Sequence, residues 1–226
     1  MTTTGPVGRK QRRENLIAAA QRAVAEHGAG VRLKDVAKSA NLTSGAILYH
    51  FPDVQSLLVE ANRAGMERFY DERMRAIAAM DTADRKLVVT IASGLPRDSE
   101  DIEVRLFCEL GGAAGRYPVY AEMLTSLFDR QVAMYEVILE SGADSGVFTL
   151  QQPSQTIARN IVALEDAYGY RMVARHPTID HATATQLILD YARLATGHPL
   201  DAPATPPKPS KNKAPKSKPS TKETAR

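Results

Sequence analysis

The chain has 226 residues, 43% of them hydrophobic, a single cysteine and a formal net charge of +3. That is enough apolar material for a sizeable core, but no apolar run approaches the roughly 18 residues of a membrane-spanning helix, and the lone Cys108 excludes an internal disulfide framework. The polar start from Met1 to Lys10 lacks the apolar centre of a secretory signal, so a soluble cytoplasmic protein with no membrane partner is expected.

Charge is unevenly placed along the chain. Residues 1–53 carry eight basic against four acidic side chains, 54–196 fourteen against twenty, and 197–226 seven against two. An acidic middle between basic ends localises any affinity for polyanions. Solvated tails are the competing reading of the same pattern.

Sustained alternation is missing and β-branched residues are scattered, so almost everything from Gln11 to Gly197 is expected to be helical. A first helix covers about Arg12 to His27, with Leu16, Ile17, Ala20, Ala23 and Val24 on one face, and Gly28-Ala29-Gly30 stops it. A short second helix spans about Leu33 to Ala40. The Asn41-Leu42-Thr43 step breaks it, and a third helix follows from Ser44 to Phe51 with Thr43 as its N-cap. Pro52-Asp53 opens a long fourth helix, Val54 to Met80. Further helices are expected near 83–93, 101–116, 117–141, 153–176 and 179–196, separated by steps rich in Gly, Pro or Asp. From Gly197 onward Pro, Lys, Ser, Ala and Thr follow one another without an apolar face, and a disordered basic tail is expected over 197–226.

Residues 31–58, VRLKDVAKSANLTSGAILYHFPDVQSLL, hold the informative motif. Two short helices joined by a tight turn place the second where its outer face can enter a DNA major groove. Val36, Ala40, Leu42 and Ile47 are expected to lock the pair, leaving Thr43, Ser44, Gly45, Ala46, Tyr49 and His50 outward. Small residues permit close approach, while hydroxyl, phenol and imidazole groups bond phosphate oxygens or base edges. Lys34 joins these candidates, as does a basic arm of Arg9, Lys10, Arg12 and Arg13, which could track the backbone or enter the minor groove.

The stretch resembles the helix-turn-helix of TetR-family (tetracycline-repressor-like) bacterial transcriptional regulators. The resemblance rests on Val36-Ala37, Ala40, the Asn41-Leu42 turn, Thr43, Gly45 and the aromatic end Leu48-Tyr49-His50-Phe51-Pro52, with Leu57-Leu58 following. Three positions depart from the family pattern: Arg32 where a Ser or Thr cap is usual, Leu48 where a tyrosine is common, and Val54 where a phosphate-gripping lysine often opens the fourth helix. The resemblance implies an all-α protomer with a DNA-binding domain at 1–53 and an effector-binding and dimerisation domain at 54–196. It also implies a homodimer on double-stranded operator DNA, most simply a repressor released when a small-molecule effector tilts the fourth helix.

Periodic apolar stripes Ile157, Ile161, Leu164, Tyr168 and Leu187, Tyr191, Leu194 on the last two helices are the expected dimer surface. Their packing inside the protomer is the alternative. Candidate effector contacts are Arg105, Cys108, Glu109, Tyr135, Glu165 and Asp166; for Cys108 a buried structural thiol competes, and for Glu165-Asp166 an internally paired cluster. No clustered Cys/His spacing suggests a metal, the glycine-rich 111–115 follows a helix rather than a strand, and no cofactor or catalytic constellation is implied. The rival class is an all-helical small-molecule-binding or assembly protein that never touches DNA.

Overall fold

The computed structural model describes residues 6–201, which form nine helices and no strand. They are α1 (Pro6–His27), α2 (Leu33–Ala40), α3 (Ser44–Leu48), α4 (Val54–Ala78), α5 (Ala83–Ser93), α6 (Ile102–Gly111), α7 (Pro118–Asp144), α8 (Ser154–Val173) and α9 (His181–Thr196). Helix α1 begins ahead of the expected start, so the basic arm lies on its first turns. Gly28 adopts φ +73° at its end, the left-handed conformation that a glycine stop requires. Helix α3 is shorter than expected: His50 N donates to Ile47 O at 2.8 Å, a tighter turn that closes it.

Two apolar clusters organise the molecule. In the first, Leu16, Ala19, Ala20, Ala23 and Val24 of α1 meet Val36, Ile47, Phe51, Leu57 and Leu58, all buried. The small residues of α1 let α2 and α4 pack closely against it. This core is completed by Leu106 and Leu110 of α6 and Tyr120 of α7. The division expected at residue 53 therefore cuts through a shared core. Each fully buried large side chain here contributes about 1.5–3 kcal/mol relative to exposure.

The second cluster joins α5, α7, α8 and α9 around Leu87, Ile91, Tyr135, Leu139, Ile188 and Leu189. Ile157 and Ile161 belong to it and are fully buried within the protomer, so they are not available to a dimer surface. Leu164 and Tyr168 also pack partly against it. The face was legible, but α8 turns it inward. The expected tail start at 197 is corrected as well. Leu200 is fully buried in this cluster, and the Arg193 guanidinium donates to its carbonyl at 2.6 and 3.1 Å. The rest of that tail, 202–226, lies outside the described residues.

Candidate nucleic-acid interface

Local chemistry sets the two short helices. Arg32 has no acceptor to offer at the α2 N-cap, and Asp35 compensates: its carboxylate accepts from Arg32 N at 3.0 Å, a hydrogen bond that holds its pKa below the ordinary value. Asn41 ends α2 in the left-handed region at φ 53°, which asparagine tolerates better than most residues. Thr43 caps α3 as expected, its hydroxyl accepting from Ala46 N at 3.2 Å. Asp53 likewise caps α4, accepting from Ser56 N at 2.7 Å. Leu42 does not lock the pair; it is 41% exposed, and Val36, Ala37, Ile47 and Phe51 fill the joint instead.

The outward face carries the expected residues. Thr43 and Gly45 are exposed, Ser44 and Ala46 half-buried, and Tyr49 is 75% exposed with its ring edge-on to His50 at 5.1 Å. A Cβ added to Gly45 would meet only its own neighbour Thr43 Oγ1 at 4.0 Å. No packing within the protomer demands a glycine there, so the space it leaves faces outward. Lys34 is exposed on α2.

Arg9, Lys10 and Arg12 are exposed on α1. Burial lowers the His50 pKa, and Arg12, Arg9 and Arg13 lower it further, which places the basic turn of α1 beside the end of α3. His50 is thereby favoured in its neutral form near pH 7. Arg13 has another role. Its guanidinium donates to His50 O at 3.0 Å, stacks 4.1 Å above the Phe51 ring and pairs with Glu60 at 3.5 Å. It clamps the corner between α3 and α4 instead of standing free.

The six effector candidates do not form one site. Arg105, Cys108 and Glu109 line a surface cleft of about 780 Å³ between α6 and the end of α8, with Asp166 exposed near it. Burial raises the Cys108 thiol to about 11, with Glu109 and Asp166 adding to the effect, so it is a protonated, unreactive thiol at neutral pH. Glu109 is a link to the head, accepting from Ala29 N at 3.1 Å. Tyr135 and Glu165 lie elsewhere, in a buried polar cluster whose centre is Arg73 of α4.

Arg73 is 1% exposed. It donates to Glu165 at 2.9 and 3.1 Å, to Thr90 O and the Tyr135 hydroxyl at 3.0 Å, and to Gln131 Oε1, while Tyr135 donates to Glu165. Four helices, α4, α5, α7 and α8, thus converge on one charge pair. Gly94 at the end of α5 makes room for it: a Cβ there would lie 2.0 Å from Glu165 Oε1. Burial pushes the Glu165 carboxyl up to about 7, against the pull of Arg73 and Tyr135. Sequence reasoning missed Arg73, Thr90 and Gln131. The available signal was that Arg73 continues the buried stripe of Leu58, Asn62 and Met66 on α4, where a cation is out of place.

A short capped helix presented on its outer face, a second helix bracing it, and a basic turn alongside define a helix-turn-helix DNA-binding protein. Residues 16–61 match the family model described as bacterial regulatory proteins, tetR family. Over these residues the chain is similar to the DNA-binding segment of TetR-family regulators.

The whole fold is shared with solved structures at low identity. A TetR transcription regulator from Haloarcula marismortui is 21% identical, covering 83% of this chain and 99% of that one, with a TM-score of 0.74. A Saccharomonospora viridis protein described as a transcriptional regulator and solved in complex with choline is 22% identical, with 81% and 96% covered and a TM-score of 0.75. The fatty acid degradation regulator FadR from Bacillus halodurans is 18% identical, with 88% and 100% covered and a TM-score of 0.67. No curated protein sequence matches the chain.

Proposed function

We propose that the protein works as a dimeric repressor, reading operator DNA with α3 and leaving it when a small molecule occupies the body. The observation that carries the DNA reading is the outer face of α3: Tyr49 stands 75% exposed beside the open Gly45, with Arg9 and Arg12 on the same side. Thr43, Ser44, Tyr49 and His50 are its base or phosphate contacts, Gly45 and Ala46 permit close approach, and Lys34, Arg9, Lys10 and Arg12 neutralise phosphates. Head (1–53) and body (54–196) divide the labour, although they share a core. The role is regulatory and not catalytic, and it is exercised in the cytoplasm.

Dimerisation is assigned to the outer face of α8 and α9. Leu194 is 77% and Leu187 39% exposed, and the Tyr191 hydroxyl beside them accepts from the Asn160 amide of α8 at 2.9 Å. Exposed leucines two turns apart on one helix face suit a two-fold helical contact, and a dimer presents two recognition helices to half-sites about 34–36 Å apart. Electrophoretic shifts on the DNA upstream of its own coding sequence test the reading. A salt-sensitive complex on a palindromic fragment is expected; equal affinity for every fragment, or none, refutes it.

A further inference from the structure

The face of α3 that the proposed function turns toward DNA has a chemical bias in what it lacks. From Leu42 to Phe51 no residue carries an ammonium, a guanidinium, a carboxylate or a side-chain amide. Those groups single out guanine, adenine and cytosine in the major groove. Arg or Lys bonds guanine O6 and N7, Asn or Gln bonds adenine N6 and N7, and Asp or Glu accepts from cytosine N4. The hydroxyls of Thr43, Ser44 and Tyr49 and the imidazole of His50 each offer a donor and an acceptor, so they discriminate little. Thymine is set apart by its C5-methyl group, which is read by apolar contact.

Leu48 supplies such a contact. It is 46% exposed and belongs to neither apolar cluster. Ile47, wholly buried, fixes the inward side of α3, which leaves Leu48 on the flank, with Ser44 and Gly45 one turn before it. Helical side chains lean toward the N-terminus, so Leu48 borders the gap at Gly45. A Cβ built in that gap would meet nothing nearer than Thr43 Oγ1 at 4.0 Å. An apolar edge beside an empty space is a shape that receives a methyl group. Leu42, the other exposed leucine of the head, precedes the Thr43 cap and sits on the turn, off the helix.

We infer that α3 reads its half-site through a thymine C5-methyl group received by Leu48 beside Gly45. The inference rests on the DNA-binding reading and deepens it by naming the base. It also divides the labour within the head. Arg9, Arg12 and Lys34 are cations suited to phosphates, whose contacts fix register without regard to sequence. Discrimination between bases is then left to the uncharged face, where Leu48 sets the preference.

Deoxyuridine tests this, because it lacks that methyl alone and pairs as thymidine does. A duplex is first enriched from a randomised pool with the full chain. Each thymine in turn is then replaced by deoxyuridine in both half-sites, and affinity is read by fluorescence anisotropy. At one position the change should cost about three- to five-fold per half-site, the worth of one buried methyl. In Leu48→Ala, and in Leu48→Gln where an amide takes the same place, that cost should fall below about two-fold, with circular dichroism unchanged. The missing methyl lies in the major groove, so contacts made by the basic arm in the minor groove do not produce the effect. The inference is overturned if no thymine is sensitive to the change, or if both variants keep the full penalty at the sensitive position. An enriched duplex indifferent to every methyl removes this inference and spares the DNA-binding reading. Failure to enrich any duplex removes that reading, and this inference with it.

Discussion

The buried Arg73–Glu165 pair makes a quantitative prediction through Glu165→Gln. The carboxyl has an ordinary pKa of 4.5 and stands at about 7 in the folded protein, burial being the main cause. A raised folded pKa means that the folded state holds the proton more tightly. The stability from this group is therefore fully present below pH 4.5 and is lost as pH rises through 7. At about 1.36 kcal/mol per unit, the loss amounts to roughly 3 kcal/mol between about pH 4 and pH 8. Glutamine does not titrate, so the variant lacks that slope, whatever its absolute stability. Urea unfolding of both proteins at unit steps across that range measures it. The difference in stability, variant minus wild type, should grow by roughly 3 kcal/mol in the variant's favour from the acid to the alkaline end. Carboxylates remote from Glu165 titrate alike in both proteins and cancel, whereas Asp166, whose charge acts on Glu165, is part of the measured difference. Parallel curves would refute the claim that burial outweighs the ion pair at this site, and would put Glu165 on the ionised side of the balance throughout.

Four further outcomes concern DNA and assembly. Tyr49→Ala and His50→Ala should each weaken operator binding by about 1–3 kcal/mol in a fluorescence-anisotropy titration, with unchanged circular dichroism. Replacing Arg9, Lys10 and Arg12 together should flatten the dependence of log affinity on log salt by roughly 0.9 for each phosphate no longer neutralised. Arg13→Ala should instead weaken specific binding with the slope intact, because Arg13 holds the α3–α4 corner; a flattened slope for Arg13→Ala alone would contradict the clamp. Leu187→Glu with Leu194→Glu should yield monomers by sedimentation and lose tight binding to a palindrome, although neither residue is in the DNA-binding head.

Helix after helix was legible because the cues are local. Leu16, Ala20, Ala23 and Val24 recur at helical spacing, Gly28 and Pro52 punctuate the chain, and Thr43 and Asp53 cap as their chemistry dictates. The outward set on α3 was legible for the same reason, since so short a helix leaves few choices of face. What escaped were facts of convergence. A stripe such as Ile157–Ile161 announces that it will be buried and says nothing about which neighbour buries it. Leu200, a lone leucine among prolines, has no periodicity to betray it, and only its seat beneath α9 reveals its place. Arg73 draws partners from positions 17 to 92 residues away, a distance over which sequence pattern is blind.

The head's dependence on Leu106, Leu110 and Tyr120 limits how such a protein can be taken apart. Excised at residue 53, the operator-reading segment would lose the apolar wall on which α1 rests, and Ala29 N would lose its Glu109 acceptor. A hybrid that joins this head to a foreign body would therefore need more than a compatible linker: it would have to import a matching α6 and the first turn of α7. The DNA-reading face and the proposed effector-binding body are inherited together here, because the surface that separates them on paper is a packed interface in the molecule.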